Sequence, residues 1–220
     1  MEPKFLPIQD LRQDIATAIG KSDGIWYLGN IDLLKQRGLS FCGSRKASDK
    51  GIKTARQCAQ QAVEHDLVCV SGNAAGVDIN IHRAALESNG STIFVLPEGL
   101  DHFTIRQTLR PHWNWDKCLV ISQFPNNARW QVWRAMDRNK LIIALGIAMI
   151  VVEAAEKGGT QKAAQQAMDV GKPLFVAKYE IPVPGNQTIA ELGAQGLGRN
   201  SETNCPNIKK VIDISLASHQ

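Results

Sequence analysis

The chain has 220 residues, of which 44% are apolar and 21% charged, an ordinary globular usage that argues against disorder, collagen and solenoid repeats. At roughly 150 residues per domain, this length suits one large domain with a small appendage rather than two full domains. Lysine and arginine number 25 against 21 aspartates and glutamates, and the net charge of +4 permits a polyanionic partner without requiring one.

The five cysteines, Cys42, Cys58, Cys69, Cys118 and Cys205, are odd in number and lack CxxC spacing, so they read as reduced thiols of a cytoplasmic protein. The longest apolar run, Leu141 to Val152, is too short to cross a bilayer and is broken by Gly146, and the N-terminus lacks the layout of a signal peptide. No membrane association is expected.

In chain order, an amphipathic stretch from Leu11 to Ile19 gives residues 1–24 the character of a short helical segment. Short, nearly continuous apolar runs follow: LSFC from Leu39, LVCV from Leu67, TIFVL from Thr92, CLVI from Cys118, AMIVV from Ala148 and LFVA from Leu174. Such runs suit strands buried on both faces of a parallel sheet. Between them lie helical spacings, as in Ile52, Ala55, Ala59, Ala62 and Val63, or Ile81, Ala84 and Ala85. Ser48 and Thr160 are placed to N-cap helices, and Gly90 and Gly171 to end them. The alternation predicts an α/β, doubly wound, mostly parallel sheet over residues 25–181, with its ligand crevice at the carboxyl ends of the strands. Residues 182–220, rich in proline, glycine and asparagine, read as an irregular tail packed on that core, with one late element at the apolar patch from Val211 to Leu216.

Four strand-end loops carry candidate chemistry. Gly43, Ser44 and Arg45 follow the first run, where glycine allows close approach, free amides and a hydroxyl can donate, and arginine can pair bidentately with phosphate; a tight turn with a solvated arginine fits equally well. Ser71, Gly72, Asn73 and Gly76 precede a helix bearing Asp78 and His82. Asp78 suits capping or holding a loop amide, and His82, with no Cys or His at ligand spacing, suits a packed, loop-bracing role rather than a metal site.

Arg134, Arg138, Asn139 and Lys140, beside Trp130 and Trp133, form a basic and aromatic stretch suited to a phosphodiester backbone or stacked bases, or else a solvated basic face over buried tryptophans. Glu153 is expected to bind loop amides, and the Gly158, Gly159, Thr160 turn is a further anion cradle at a helix start.

In order and spacing, YLGNIDLLKQRGLSFCGSR, VSGNAAGVDINIHRAAL, TIFVLPEGLDHF, DRNKLIIAL, VVEAAEKGGT and the Gly171-Lys172-Pro173 strand start resemble the DNA-processing protein A family, DprA or Smf, over roughly residues 25–177. The resemblance implies an extended Rossmann-like domain that binds single-stranded DNA without catalysis or cofactor, forms a homodimer, and helps load the recombinase RecA in natural transformation. By position, Gly43, Ser44 and Arg45 match its GSR motif. Ser71, Gly72, Gly76, Asp78 and His82 match its second signature, Arg138, Asn139 and Lys140 its RNR-like motif, and Gly158, Gly159 and Thr160 its glycine-rich turn.

The sequence departs from the family at Ala75, where a basic residue is usual, and at Lys140, which replaces an arginine. The stretch before Ile25 is short for the family's N-terminal helical domain, and no winged-helix-like segment is apparent after residue 184. Two other readings stay open. One is a nucleotide-binding sensor, or an N-glycosidase like the related LOG-type phosphoribohydrolases, although Ala163 stands where their catalytic glutamate belongs and leaves only Glu153 or Glu98. The other is an oligomerising subunit using Trp113, Trp115, Trp130 and Trp133.

Overall fold

The computed structural model describes residues 1–217. Nine strands form a single sheet: β1 (Lys4–Pro7), β2 (Gly24–Gly29), β3 (Gly38–Cys42), β4 (Val68–Ser71), β5 (Thr92–Val95), β6 (Cys118–Ser122), β7 (Gly146–Val151), β8 (Leu174–Ala177) and β9 (Gln195–Leu197). Their order is β1-β2-β6-β5-β4-β3-β7-β8-β9. β6 through β9 run parallel, and β2 and β1 add to the β6 side antiparallel. All six apolar runs are strands, buried on both faces as their continuous pattern requires.

Helices cover both sides. α1 (Gln13–Ile19), α4 (Val132–Leu145), α5 (Gly159–Asp169) and α6 (Pro184–Glu191) pack on one face, where Ile15, Leu141, Ile142, Ala164 and Ile189 meet Val70, Met149 and Val176. α2 (Asp49–Glu64), α3 (Val77–Glu87) and α7 (Ile208–Ala217) pack on the other, where Ala55, Ala59, Ile81, Ala85 and Ile208 meet Phe41, Cys69 and Ile150. The small residues on α2 and α3 let these helices lie close to each other and to the sheet.

The structure differs from the sequence expectation at both ends. Residues 1–24 contain β1 as well as a helix, and residues 182–217 carry α6 and β9 in addition to the one late element expected near Val211, which is α7; residues 218–220 lie outside the described residues. β1 and β9 are short edge strands with exposed positions, so they carry no continuous apolar run. Ser48 accepts from Gly51 N–H at 3.1 Å and caps α2. Thr160 lies inside the first turn of α5, whose N-cap is Gly158 at φ 139°. At the end of α3 the left-handed residue is Asn89 rather than Gly90, whereas Gly171 takes that role after α5. The five cysteines are unbonded, and burial raises the thiols of Cys42, Cys58, Cys69 and Cys118 above the usual range.

Chain direction across the sheet reverses between β3 and β7. β3 leads through α2 to β4 on one side, and β7 leads through α5 to β8 on the other. The loops leaving β3 and β7 therefore diverge and open a crevice at the carboxyl edge.

Candidate functional site

A cleft of about 370 Å³ occupies this crevice, lined by Gly43, Ser44 and Arg45 after β3, Ala74 and Asp78 before and in α3, Trp130, Arg138 and Asn139 at α4, and Gly158, Gly159, Thr160 and Ala163 at α5. A second lobe of about 350 Å³ shares Arg45, Ala74, Trp130 and Arg138 and adds Asn73, Pro97, Glu98 and Arg106.

Buried polar side chains build the walls. Asp78 Oδ2 accepts from Ala74 N–H at 3.2 Å, and Oδ1 accepts from the Ser71 hydroxyl at 3.0 Å, so the carboxylate spans the loop from within α3. Burial raises its pKa, opposed by Arg138 and by these donors. His82 is fully buried, stacks on Phe94 with ring centroids 3.6 Å apart, and contacts Gly72 O and Thr92 Oγ1, each at 2.6 Å. Burial lowers its pKa to about 3, so the ring is neutral. A carbonyl only accepts, which puts the ring proton on Nε2 toward Gly72, while Nδ1 faces the Thr92 hydroxyl, whose single proton also has Cys69 O as an acceptor at 2.8 Å.

Two glycines make close approaches here, Gly72 to side chains and Gly76 to backbone. A Cβ on Gly72 would lie 2.1 Å from Arg138 Nη1 and 2.6 Å from Asp78 Oδ2, and one on Gly76, at φ 75°, would lie 2.2 Å from Ser44 O. Glu153, leaving β7, accepts from the Ser48 amide at 2.9 Å and the Ser48 hydroxyl at 2.6 Å. It thereby fixes the start of α2 against the switch point, and the Glu153 carbonyl accepts from Ser44 N–H at 2.6 Å.

Arg138 is the unusual member. It is 7% exposed, no described residue accepts from its Nε, and it makes no ion pair within 4.0 Å, although Asp78 and Glu98 attract it from farther away. Burial lowers its pKa for want of a direct partner. Leaving a guanidinium donor without an acceptor costs on the order of 1–3 kcal/mol, a cost that an anion in the cleft would remove.

The other predicted residues divide. Asn139, Gly158, Gly159 and Thr160 line the cleft with Arg138. Ser44 lies there too, but its amide is already used by Glu153, and its hydroxyl accepts from Lys46 N–H at 3.0 Å. Lys140, two positions from Arg138, projects from another side of α4, pairs with Asp137 at 2.8 Å, and joins Trp133 in a neighbouring groove. Arg134 folds over Phe124 and Trp133, with its guanidinium 5.4 and 5.1 Å from the ring centres, so the expected cationic cluster resolves into one cleft arginine and two residues aimed elsewhere. The tryptophans divide as well. Trp113 and Trp115 join Phe94 and Phe103 in an aromatic cluster, while Trp130 and Trp133 are 47% and 56% exposed.

Sequence patterning gave no sign of Arg106, which holds Asn73 O at 2.6 Å; Glu98, named only as a candidate carboxylate of the N-glycosidase reading, lies in the cleft's second lobe, its carboxyl raised by burial and its Oε2 unpartnered. Both lie beyond β5, where the PEG turn was the available signal. The Arg45 guanidinium sits 5.8 Å from the Trp130 ring centre, giving the mouth of the cleft one cationic and one stacking group. Among the described residues no cluster of metal-ligating side chains occurs, and no helix is long and apolar enough to cross a membrane.

Comparison with known proteins agrees with this architecture. The family model for DNA recombination-mediator protein A matches residues 15–212. The DNA processing protein DprA of Streptococcus pneumoniae is 34% identical over 158 residues, covering 71% of this chain and 56% of that protein. The chain thus spans about half the length of the curated relatives it matches.

The X-ray structure of DprA from S. pneumoniae superposes with a TM-score of 0.78 at 29% identity, covering 89% of this chain and 71% of the other. DNA processing protein A from Helicobacter pylori, described for its single-stranded DNA binding mode, shares the fold with a TM-score of 0.80 at 24% identity, covering 99% and 97%. With its family signature running from α1 into α7 over a doubly wound sheet of the same design, the chain belongs to the DNA recombination-mediator protein A family, the DprA/Smf proteins.

Proposed function

We infer that the cleft binds the backbone of single-stranded DNA and acts by binding rather than by turnover. The observation that carries this reading is Arg138, a buried guanidinium that lines a cleft and whose Nε has no acceptor among the described residues. A phosphate at that point accepts from Arg138 and Arg45 and meets the open amides at the start of α5, where Gly158 and the helix dipole favour negative charge. Exposed Trp130 offers a face on which a base can stack, and unpaired bases supply that face only in single strands.

Binding without catalysis is supported by the carboxylates. Position 163 is a buried alanine, and Asp78 and Glu153 commit their oxygens to loop amides and hydroxyls, which leaves Glu98 as the carboxylate of the cleft with an uncommitted oxygen. Delivery of the strand to RecA and assembly as a homodimer belong to the same proposal and rest on family membership.

The test is fluorescence anisotropy with a labelled single-stranded oligonucleotide at several salt concentrations, competed with duplex DNA and mononucleotides. Salt-sensitive binding that duplex competes poorly is expected. Absence of oligonucleotide binding, with tight displacement or thermal stabilisation by a mononucleotide, would replace this reading with a nucleotide-binding one.

A further inference from the structure

On the far side of the Ser48 and Glu153 brace, the same carboxyl edge of the sheet carries a second groove, of about 530 Å³. Lys50 and Lys53 enter it from the first turns of α2, Lys178 from the end of β8, and Arg199 from the end of β9; Glu180 is the one carboxylate in its lining. Among the described residues, six of the 25 lysines and arginines have a carboxylate within 4.0 Å, including Arg56 and Arg83 with Glu87, Lys35 with Asp32, and Lys209 with Asp213. None of the four groove cations has a carboxylate within 4.0 Å among the described residues.

Arg199 is held by neutral partners only. Its Nη2 donates to Thr54 Oγ1 at 3.0 Å and its Nη1 to Asn204 O at 2.5 Å, which fixes the guanidinium without neutralising it. Lys178 lies along Gly196, where a Cβ would meet its Cε at 2.1 Å.

We propose that this groove is a second contact surface for the phosphodiester backbone, which the strand held in the main cleft reaches after passing the start of α2. This rests on the function proposed for the main cleft, because the ligand is the same strand. The geometry supports continuity. β7, β8 and β9 are parallel neighbours, so the loop leaving β7 at the main cleft and the loop leaving β9 at this groove are two strand spacings apart, about 10 Å, a span of a few nucleotides. The four cations come from three elements at one edge, two from the first turns of α2 and one each from the ends of β8 and β9, a spread that suits an extended polyanion better than a single anion. The ordered segment after β8 builds this wall: without β9 there is no Arg199 at the edge and no Gly196 floor beneath Lys178.

The experiment compares two oligothymidylates, of about 6 and about 20 nucleotides, against the intact protein and the Lys50→Ala, Lys53→Ala, Lys178→Ala triple variant. All three positions are exposed, and thermal melting checks that the variant is folded. Expected for the intact protein is tighter binding of the long oligonucleotide by tenfold or more. In the variant, the long oligonucleotide should weaken about tenfold and its salt slope should fall by about 2, at roughly 0.7 for each phosphate no longer neutralised, with the short one unchanged.

Unchanged long-oligonucleotide affinity and slope in the folded variant would overturn the second surface while leaving the cleft reading intact. Equal loss for both lengths would overturn it too, by showing the lysines to act on the main cleft. Failure of the intact protein to bind either length would remove the cleft reading and this proposal together.

Discussion

The two ends of the sheet hold similar charges and treat them oppositely. At the amino edge, a recess of about 230 Å³ gathers Arg12, Asp14 and Lys172 near the starts of β3 and β7. Three of its four cations are answered: Arg12 pairs with Asp14 at 2.9 Å and donates to Leu34 O, Lys35 pairs with Asp32 at 2.7 Å, and Lys172 donates to Gly146 O at 2.6 Å, while the fourth, Arg37, is exposed to water. At the carboxyl edge, Arg138 is more deeply buried and has no such answer. A satisfied cation fastens a fold, whereas a buried cation with its donor left over lowers stability unless something arrives to accept from it.

The contrast is sharpest at Arg138. Arg138→Ala should weaken single-stranded oligonucleotide binding about 100-fold, near 3 kcal/mol, without lowering the melting temperature; Arg138→Lys should recover part of the affinity but not the fork geometry. A clear loss of thermal stability would place Arg138 with the fastening cations instead.

His82 supports the carboxyl edge by staying neutral. Its folded pKa, about 3, lies below the unfolded value of 6.5, so between those values the unfolded chain binds more protons and stability is lost as pH falls. About 2 kcal/mol should disappear between pH 7 and pH 5 in denaturant titrations, and His82→Asn should flatten that dependence. At the amino edge, Lys172→Ala should cost about 1 kcal/mol of unfolding free energy and leave oligonucleotide affinity unchanged. An effect on affinity would show the two ends to be coupled. The smallest effect concerns Glu98, a carboxylate facing the cleft cations: Glu98→Gln should tighten oligonucleotide binding about two- to threefold at low salt, read by the same anisotropy titration.

What the sequence revealed follows from which physics was local. The six central strands were legible because burial on both faces writes an unbroken apolar run. β1, β2 and β9 were not: β1 and β9 are short edge strands, and β2 pairs antiparallel with a partner far along the chain. The strand-end loops were found because glycine beside small polar residues marks a close approach. The grouping of Lys140 with Arg138 failed because neighbours two apart on a helix point to different sides. Arg134 failed for another reason, since it shares the spacing of a common face but lays its guanidinium on Phe124. Arg106 gave no signal, because it comes from a loop without periodicity and reaches Asn73 across 33 positions of chain.

The burial of the thiols has a practical corollary. Cys58, Cys69 and Cys118 are enclosed in the core, and burial suppresses the thiolate of Cys42. Cys205 instead is half-buried outside the core and lies against Gln57, a residue of the second groove, with Sγ 3.2 Å from Gln57 Nε2. The natural sequence thus carries its own attachment point for a thiol-reactive dye beside the place where a long strand is expected to emerge, and its emission would report that arrival without an engineered cysteine.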